Sequence, residues 1–533
     1  MAAASERIES GDSPPAPIPS TNNQPGVGQN ALPNGQKKKI IVCCDGTGKN
    51  EILEGPLSNV SRISRCITPV DLHGVPQVVY YQPGLGTDPE KRQFWNKKFV
   101  EATGEGINEA IREAYSFICH NYSHPDDEIY LFGYSRGAFT VRCIAQLIND
   151  IGLLKKAGLL SLPNLFTRWA TETRPLTPGS TFAQYKNNFI SKNLLRNDIH
   201  IRACAVWDTV ASIGIPRLAI FSQPPPQHLK FVNSELCPKI DYAFQAIALH
   251  EYRRHFRPIL WRSAHANQTL KQCWFLGYHG DVGGGRRDGA LAHFALVWMM
   301  DQLKDFLNFD VSGLWISPGN AREGQPNAFE NLNPVTSRSR PRLPWTWGVN
   351  LDMQRPEATL EDSMANIHWA GGRHVREPRR DFWDGEGIQT PAVQANTITS
   401  NEVLHFSVRM LLAKNVVNVP LCLTVCKCEQ VDHMIRWTIE SCGEPRARYT
   451  MAEDTCTEGE LRLLRTWLDS EDSRITENRE LSRIRNGIKD AVPRDLAGLQ
   501  DQNVAWTSPR CLERQMPQDH TAKGWFKSLW KLL

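Results

Sequence analysis

The sequence predicts an α/β protein in which helices cover both faces of a mostly parallel sheet. Short apolar runs alternate with helical patterns from residue 40 onward, which is typical of parallel strands joined by helices. Polar residues directly follow several of these runs, as they do where parallel strands end at a functional edge. The predicted strands are 40–44, 77–81, 129–132, 201–206 and 273–276.

Helices are predicted between these strands because apolar residues recur at every third or fourth position. In 104–119, residues such as Ile107 and Ile111 place one face of a helix against the sheet. A second helical pattern covers 138–154. The stretch 290–307 is nearly all apolar in its first half, and its length predicts a buried helix rather than a membrane span.

Composition limits the function classes. The 533 residues allow two to four structural units, and 41% hydrophobic with 22% charged residues is close to the globular average. A net charge of +4 is small for this length, so no nucleic-acid partner is expected.

Fourteen cysteines, including Cys43 and Cys44 inside an apolar run, indicate core thiols rather than a disulfide framework. With no secretory signal pattern, a cytoplasmic location is expected.

Four regions are predicted along the chain. Residues 1–37 are rich in proline and form a disordered tail. Residues 38–310 form the α/β domain that contains the predicted strands. Residues 311–450 form an accessory region with long loops, and 451–533 form a helical C-terminal region that ends in a basic amphipathic segment.

The clearest chemical signal is Gly133-x-Ser135-x-Gly137, which lies between the third predicted strand and a helical pattern. Glycines flank a serine in this way at a nucleophile elbow, because the sharp strand-to-helix turn leaves no room for side chains. Average glycine and serine usage produces the spacing by chance in roughly one in five chains of this length. The assignment therefore depends on the strand and helix around it, and an ordinary glycine-rich turn is the alternative.

A serine nucleophile needs a base and an acid that orients the base. Asp208 and His279 follow later predicted strands, in the chain order of α/β-hydrolases. A helix cap is the alternative role for Asp208. The glycines after His279 favour this histidine, because they allow backbone to approach a ligand closely. The rival histidines are His250 and His255, in a predicted helical stretch, and His405.

The oxygen of a tetrahedral intermediate needs backbone N–H donors, which form an oxyanion hole. In this fold one donor is the residue after the nucleophile, here Arg136. The other donor lies in the loop that follows an earlier strand. Counting back two strands from 129–132, which leads into Ser135, gives strand 40–44. That loop contains Gly46 and Thr47, and both are candidates.

Two further carboxylates are secondary candidates. Asp45 ends the first predicted strand in an Asp-Gly-Thr sequence, which also occurs in haloacid-dehalogenase-type phosphatases. Cys43 stands where those enzymes need a nucleophilic aspartate, so that alternative lacks its nucleophile. Asp281 is a candidate reserve acid or a metal ligand with His279, and a turn residue is its alternative role. Cys422, Cys426 and Cys428 lack a fourth well-spaced ligand, so no metal site is expected.

Five stretches along the chain form one distinctive set: IIVCCDGTGKN, YYQPGLGT, DEIYLFGYSRGAF, AVWDTVASIG and WFLGYHGDVGGG. Together they resemble the catalytic domain of type VI secretion phospholipase effectors, an α/β-hydrolase family formerly catalogued as a domain of unknown function, and they predict a fungal-type member. The resemblance covers about 38–305 and implies a triad of Ser135, Asp208 and His279. It also implies an ester bond of a glycerophospholipid as the substrate. At His250 relatives tend to have an aspartate, a departure that concerns the substrate pocket.

The expected function is therefore hydrolysis of a carboxylic ester through an acyl-enzyme on Ser135, with phospholipase A activity and no cofactor. The alternatives are an acyltransferase or a non-lipid esterase with the same triad, or a non-catalytic binding module on a hydrolase fold. The last twelve residues predict a basic amphipathic helix. Peripheral membrane contact and docking on the protein are both open for its apolar side, which includes Trp525, Phe526, Leu529 and Trp530.

Overall fold

The computed structural model describes part of the chain. The described residues are 36–49, 57–84, 105–172, 176–210, 229, 232, 234–262, 265–285, 290–310, 374–379, 400–432, 434–442, 446–469, 486–496, 499 and 506–508. The predicted tail, apart from residues 36 and 37, and the C-terminal amphipathic segment lie outside the described residues.

Most described strands join one sheet of 11 strands, and two short strands form a separate pair. In chain order the strands are β1 (Lys39–Cys44), β2 (Gln77–Gln82), β3 (Glu128–Tyr134), β4 (Leu153–Leu154), β5 (Leu195–Arg196), β6 (Ile201–Trp207), β7 (Ile240–Ala248), β8 (Thr269–Phe275), β9 (Glu402–Leu404), β10 (Cys426–Val431), β11 (Met434–Glu440), β12 (Arg448–Glu453) and β13 (Trp506–Thr507).

Eight strands run parallel and are neighbours in the order β2-β1-β3-β6-β7-β8-β9-β12. Strands β11, β10 and β13 extend the sheet in antiparallel pairs. The prediction of an α/β fold with a mostly parallel sheet is confirmed. Because the parallel strands point the same way, their carboxyl ends share one edge of the sheet.

Helices pack on both faces of the sheet, as the alternating side chains of β1 show. Ile41 and Cys43 belong to one hydrophobic core cluster, whereas Ile40, Val42 and Cys44 belong to the other. The helices are α1 (Asn59–Cys66), α2 (Glu105–Asn121), α3 (Arg136–Ile151), α4 (Leu162–Thr171), α5 (Thr181–Ser191), α6 (His279–Gly283), α7 (Ala290–Leu303), α8 (Phe406–Ala413) and α9 (Glu458–Asp469).

Helix α7 is buried along nearly its whole length, as its apolar sequence predicts. It contributes Phe294, Trp298 and Leu303 to the cluster that also contains side chains of α8 and α9. Throughout the described ranges, no helix has both the length and the apolar content that a membrane span requires.

The region after residue 400 extends the sheet rather than starting a new one. Strand β9 pairs with β8, and β12 pairs with β9. The described residues from Lys37 onward group into one compact unit. The domain boundaries at residues 310 and 450 stay predictions, and β12 (Arg448–Glu453) crosses the second of them.

One local prediction is wrong. The sequence predicts a helical stretch around His250 and His255, but β7 ends at Ala248 and a 3-10 turn follows at Arg254–Phe256. The cause is that β7 is a central parallel strand with helices on both faces. Such a strand carries no alternation of apolar and polar residues that would distinguish it from a buried helix.

Candidate active site

Ser135 lies at the sharp turn between β3 and α3. Its backbone has a φ of 58° and a ψ of −121°, a conformation that residues with a side chain rarely adopt. A Cβ atom added to Gly133 would lie 2.6 Å from the Cα atom of Ala138, and one added to Gly137 would lie 2.2 Å from the carbonyl oxygen of Cys44. Both neighbours therefore must be glycine, and the turn has the geometry of a nucleophile elbow.

The structure brings the three predicted site residues into one chain of hydrogen bonds. The Oγ atom of Ser135 lies 2.8 Å from Nε2 of His279, and Nδ1 of His279 lies 2.5 Å from Oδ2 of Asp208. An ionised carboxylate only accepts, so the proton of the neutral ring is assigned to Nδ1. Nε2 is then free to accept the hydroxyl proton of Ser135.

Neighbouring strands position these side chains. Ser135 follows β3, Asp208 follows β6 and His279 follows β8, and all three lie at the shared carboxyl edge. The backbone N–H of Ala248, at the end of β7, donates to Oδ1 of Asp208 at 3.0 Å. The ring of Phe256 packs edge-on against His279 with the ring centres 4.8 Å apart.

Burial and charge set the protonation of the two titratable groups. Burial raises the pKa of the Asp208 carboxyl, but the charge of Arg376 and the hydrogen bond from His279 outweigh it, so the pKa lies well below its usual range. Burial lowers the pKa of His279 against the opposing influence of Asp208. At neutral pH the site therefore holds an ionised Asp208 and a neutral His279.

The loop after β1 lies close to the nucleophile, as the position of Gly46 shows. A Cβ atom added to Gly46 would lie 3.3 Å from Cβ of Ser135. The N–H of Gly46 already donates to Oδ1 of Asp45 at 2.6 Å. In contrast, Oγ1 of Thr47 is buried and has no hydrogen-bond partner in the described structure. Thr47 therefore offers a hydroxyl that could contact a substrate oxygen, in addition to the backbone N–H that the sequence nominates.

Arg136 is the first residue of α3, directly after the nucleophile. The N-terminal end of a helix carries a partial positive charge and directs its backbone N–H groups outward. This placement suits an anionic oxygen bound next to Ser135, and the donor role of Arg136 stays a prediction.

Asp45 fixes the loop after β1 rather than joining the hydrogen bonds of His279. Its Oδ2 atom accepts hydrogen bonds from Ser58 at 2.5 Å, Tyr81 at 2.6 Å and Ser61 at 3.0 Å. Burial raises the pKa of Asp45, and these hydrogen bonds lower it. The side chain therefore links the end of β1 to β2 and to the start of α1.

Asp281 makes the backbone contact of a turn residue, the alternative to a role as reserve acid or metal ligand. Its Oδ2 accepts the backbone N–H of Tyr278 at 2.8 Å, at the start of α6.

Across the described ranges, no group of three His, Cys, Asp or Glu side chains is placed to hold a metal ion.

Backbone or side-chain contacts occupy the described rival histidines. In His250, Nδ1 accepts from Gly277 at 2.9 Å and Nε2 donates to the carbonyl of Asn418 at 2.9 Å. Burial lowers the pKa of His250 to about 4, so its ring is neutral. His405 contacts Glu460 at 2.7 Å through Nε2. The side chain of His255 lies outside the described residues.

Sequence reasoning missed two residues beside the triad. Glu251 follows β7, and its Oε2 accepts the backbone N–H of His279 at 3.4 Å and bonds Arg253 at 2.7 Å. A carboxylate after an apolar run is a signal that could have found it, had β7 been assigned as a strand. Arg376 contacts Asp208 from far along the chain, and no local pattern marks it.

We expect Gly137→Ala to lower the free energy of unfolding by about 1–3 kcal/mol, because the added Cβ overlaps a backbone carbonyl that cannot rotate away. Chemical denaturation of the full chain measures this change. The matched control is Gly179→Ala, where nothing lies within 4 Å of the added atom, and it is expected to change stability by less than about 0.5 kcal/mol. Equal effects at both sites would show that the elbow is not tightly packed.

Comparison with known proteins gives one family match. Residues 38–302 match the family model described as "T6SS, Phospholipase effector Tle1-like, catalytic domain". A curated relative, the uncharacterized protein YEL023C of Saccharomyces cerevisiae, is 28% identical over an alignment of 262 residues, and the match covers 44% of this chain and 36% of the relative. The chain thus spans about a third of the length of that relative.

Two solved structures are also similar to the chain. One is an uncharacterized protein from Pseudomonas aeruginosa, with 16% identity over 50% of this chain and 46% of that protein, and a TM-score of 0.30. The other is the Tle1 effector bound to the VgrG spike from the Type 6 secretion system. It has 20% identity over 47% of this chain and 52% of that chain, and a TM-score of 0.28.

Proposed function

Because residues 38–302 belong to the Tle1-like phospholipase effector family, we propose that this protein is a serine phospholipase of the A type, which cleaves a carboxylic ester of a glycerophospholipid. The family supports hydrolysis of a lipid ester. The observation that carries the serine mechanism is the hydrogen-bonded chain from Ser135 through His279 to Asp208. This arrangement is that of a nucleophile, its general base and the acid that orients the base.

In the first step, Nε2 of His279 takes the proton of Ser135 while Oγ forms a bond to the carbonyl carbon of the ester. The oxygen that becomes negative accepts hydrogen bonds from the backbone N–H of Arg136 and from the Oγ1 hydroxyl of Thr47. His279 then gives its proton to the leaving alcohol oxygen as the ester C–O bond breaks. The products of this step are a lysophospholipid and an acyl group on Ser135.

In the second step, His279 takes a proton from water while the water oxygen attacks the acyl carbon. The bond to Oγ of Ser135 breaks, the proton returns to this oxygen and a fatty acid leaves. Asp208 holds the ring of His279 in one tautomer and stabilises its transient positive charge. Water therefore supplies one oxygen atom of the fatty acid.

The substrate must come from a membrane surface, and the predicted C-terminal amphipathic segment is our proposed contact with it. Its aromatic residues Trp525, Phe526 and Trp530 are suited to the lipid interface, with lysines on the opposite side. Flotation with liposomes compares the full chain with a chain that ends before Lys523. Equal flotation of the two would remove this contact from the proposal.

The proposed function is tested with the full chain and mixed phospholipid vesicles in water enriched in heavy oxygen, with products analysed by mass spectrometry. We expect lysophospholipid and a fatty acid that carries one heavy oxygen atom, and no release after treatment with a fluorophosphonate. Transfer of the acyl group to an added alcohol, without free fatty acid, would indicate an acyltransferase. Labelling of Ser135 without phospholipid products would discard this substrate, and no labelling would favour a binding module.

The rate should depend on pH through His279. We expect kcat/KM to fall as the pH drops through the pKa of this residue, because a protonated Nε2 cannot accept the proton of Ser135. Burial lowers this pKa from 6.5, so the midpoint of the acidic limb should lie below pH 6.5. A pH profile of kcat/KM on a soluble short-chain ester measures the midpoint. A value above pH 7 would contradict a buried His279 as the base.

A further inference from the structure

We propose that Arg376 is a positioning residue of the triad, so that the chain beyond the family-matched domain completes the active site. The proposal rests on the proposed serine mechanism. Arg376 lies 168 positions after Asp208 and outside residues 38–302, which match the family model.

The guanidinium of Arg376 forms a two-pronged contact with the triad carboxylate. Its Nη1 donates to Oδ1 of Asp208 at 2.6 Å, and its Nη2 donates to Oδ2 at 3.0 Å. The arginine side chain is 1% exposed and that of Asp208 is fully buried. A planar guanidinium holds both oxygens of a carboxylate at once, and therefore fixes the orientation of the carboxylate as well as its charge.

The same guanidinium also binds two segments that contact the triad. Nη1 donates to the carbonyl of Ala248 at 2.9 Å, and the N–H of that residue donates to Asp208. Nη2 donates to the carbonyl of Phe256, whose ring packs against His279. Arg376 thereby connects the acid, the end of β7 and the aromatic wall of the base.

Arg376 is itself held in place by its neighbours in sequence. The backbone N–H of His374 donates to the carbonyl of Tyr252 at 2.9 Å. Oε1 of Glu377 accepts the backbone N–H of Cys442 at 2.6 Å. The segment is therefore anchored on both sides of the arginine, as a positioning role requires.

The charge of Arg376 also bears on the base. The positive charge of Arg376 neutralises the negative charge of Asp208. Protonation of His279 therefore gives the buried group of these three side chains a net positive charge. Without the arginine, Asp208 would stabilise the protonated ring more strongly and raise the pKa of His279. The other charged groups that face His279 are Glu251 and Arg253, which bond each other. Their opposite charges do not replace that of Arg376.

The experiment measures the rate at which a fluorophosphonate labels Ser135 in the full chain, as a function of pH. Arg376→Met should lower the maximal rate by about 10²-fold, because the acid and base lose their alignment. It should also move the midpoint of the acidic limb upward by about half a pH unit or more. Arg376→Lys keeps the charge but not the two-pronged contact, so its rate should fall while its midpoint moves less.

The matched control is Arg409→Met. Arg409 is also a buried arginine, and its carboxylate partner is Glu453, at 2.9 Å, rather than Asp208. We expect this variant to lose stability and keep the wild-type midpoint, since a midpoint does not depend on the amount of folded protein. If Arg376→Met does not fold, Arg376→Lys carries the test through its rate per folded molecule.

An unmoved midpoint in Arg376→Met, or a wild-type rate in Arg376→Lys, would overturn the positioning role. An equal shift in Arg409→Met would overturn it as well. Failure of the wild-type chain to react with the fluorophosphonate at any pH would instead overturn the serine mechanism. The two proposals therefore fail on different observations.

Discussion

Replacement of Ser135 with alanine is expected to lower kcat for phospholipid hydrolysis by about 10⁴- to 10⁶-fold. Under the proposed mechanism, the variant keeps the base His279 and the donors at Arg136 and Thr47, but it has no atom that can form the acyl-enzyme. Its residual rate reflects water attacking the bound ester directly. The fold should be retained, because alanine is smaller than serine and accepts the same backbone conformation without a new contact.

Fatty acid release from vesicles and denaturation of the same preparations test this expectation together. The matched control is Ser191→Ala, a serine on the exposed end of α5, which should keep the wild-type rate. A Ser135→Ala variant with more than about a tenth of the wild-type rate would place the nucleophile elsewhere. Loss of activity together with loss of folding would be followed by Ser135→Gly, which removes the same oxygen.

Replacement of Asp208 with asparagine is expected to lower kcat by about 10⁴-fold. An amide in this place can donate to Nδ1 of His279 and favour the tautomer whose proton is on Nε2, where it blocks the base. The change also leaves the charge of Arg376 buried without its partner, which costs about 3–5 kcal/mol of stability. Kinetics on the soluble ester and denaturation with urea measure the two effects separately.

Asp281→Asn is the matched control for that experiment. Its carboxylate accepts the N–H of Tyr278 at 2.8 Å, and an amide oxygen accepts the same hydrogen bond. We expect a change in stability below about 1 kcal/mol and a much smaller loss of rate than for Asp208→Asn. The reverse result, with Asp281 required and Asp208 dispensable, would show that the acid is Asp281.

The stability that Asp208 contributes should also depend on pH. Its pKa in the folded protein is below the value of about 3.9 in an unfolded chain, so the contribution is present above that value. It is lost as the pH falls through the folded pKa. The loss on acidification should therefore be smaller in Asp208→Asn than in the wild-type chain.

Local patterns sufficed for the parts of the site that a single turn encodes. The glycines around Ser135 and the polar residues after β6 and β8 all lie next to the elements they terminate, so short stretches of sequence carry them. The fold class followed from the same alternation of apolar runs and helices. The assignment failed at β7, because a strand buried on both faces has no period of its own.

Atomic positions distinguish the surroundings of Gly46 from those of Thr47, and the role of either residue as an oxyanion donor stays a prediction. Both residues occupy the loop that the topology selects, and their order in the chain does not rank them. The N–H of Gly46 is engaged by Asp45, whereas Oγ1 of Thr47 is buried without a partner in the described structure. The contacts of each ring likewise distinguish His279, which contacts Ser135, from His250 and His405, whose ring nitrogens contact other groups.

By itself, the sequence determined the parallel α/β fold, the serine elbow and the order of serine, aspartate and histidine along the chain. These features depend on residues that are neighbours in sequence. Only the tertiary structure decided that Glu251 and Arg376 adjoin the triad. A contact between positions 208 and 376 depends on how the sheet and its connections bring distant segments together. No local sequence pattern around Arg376 indicates that its partner is Asp208.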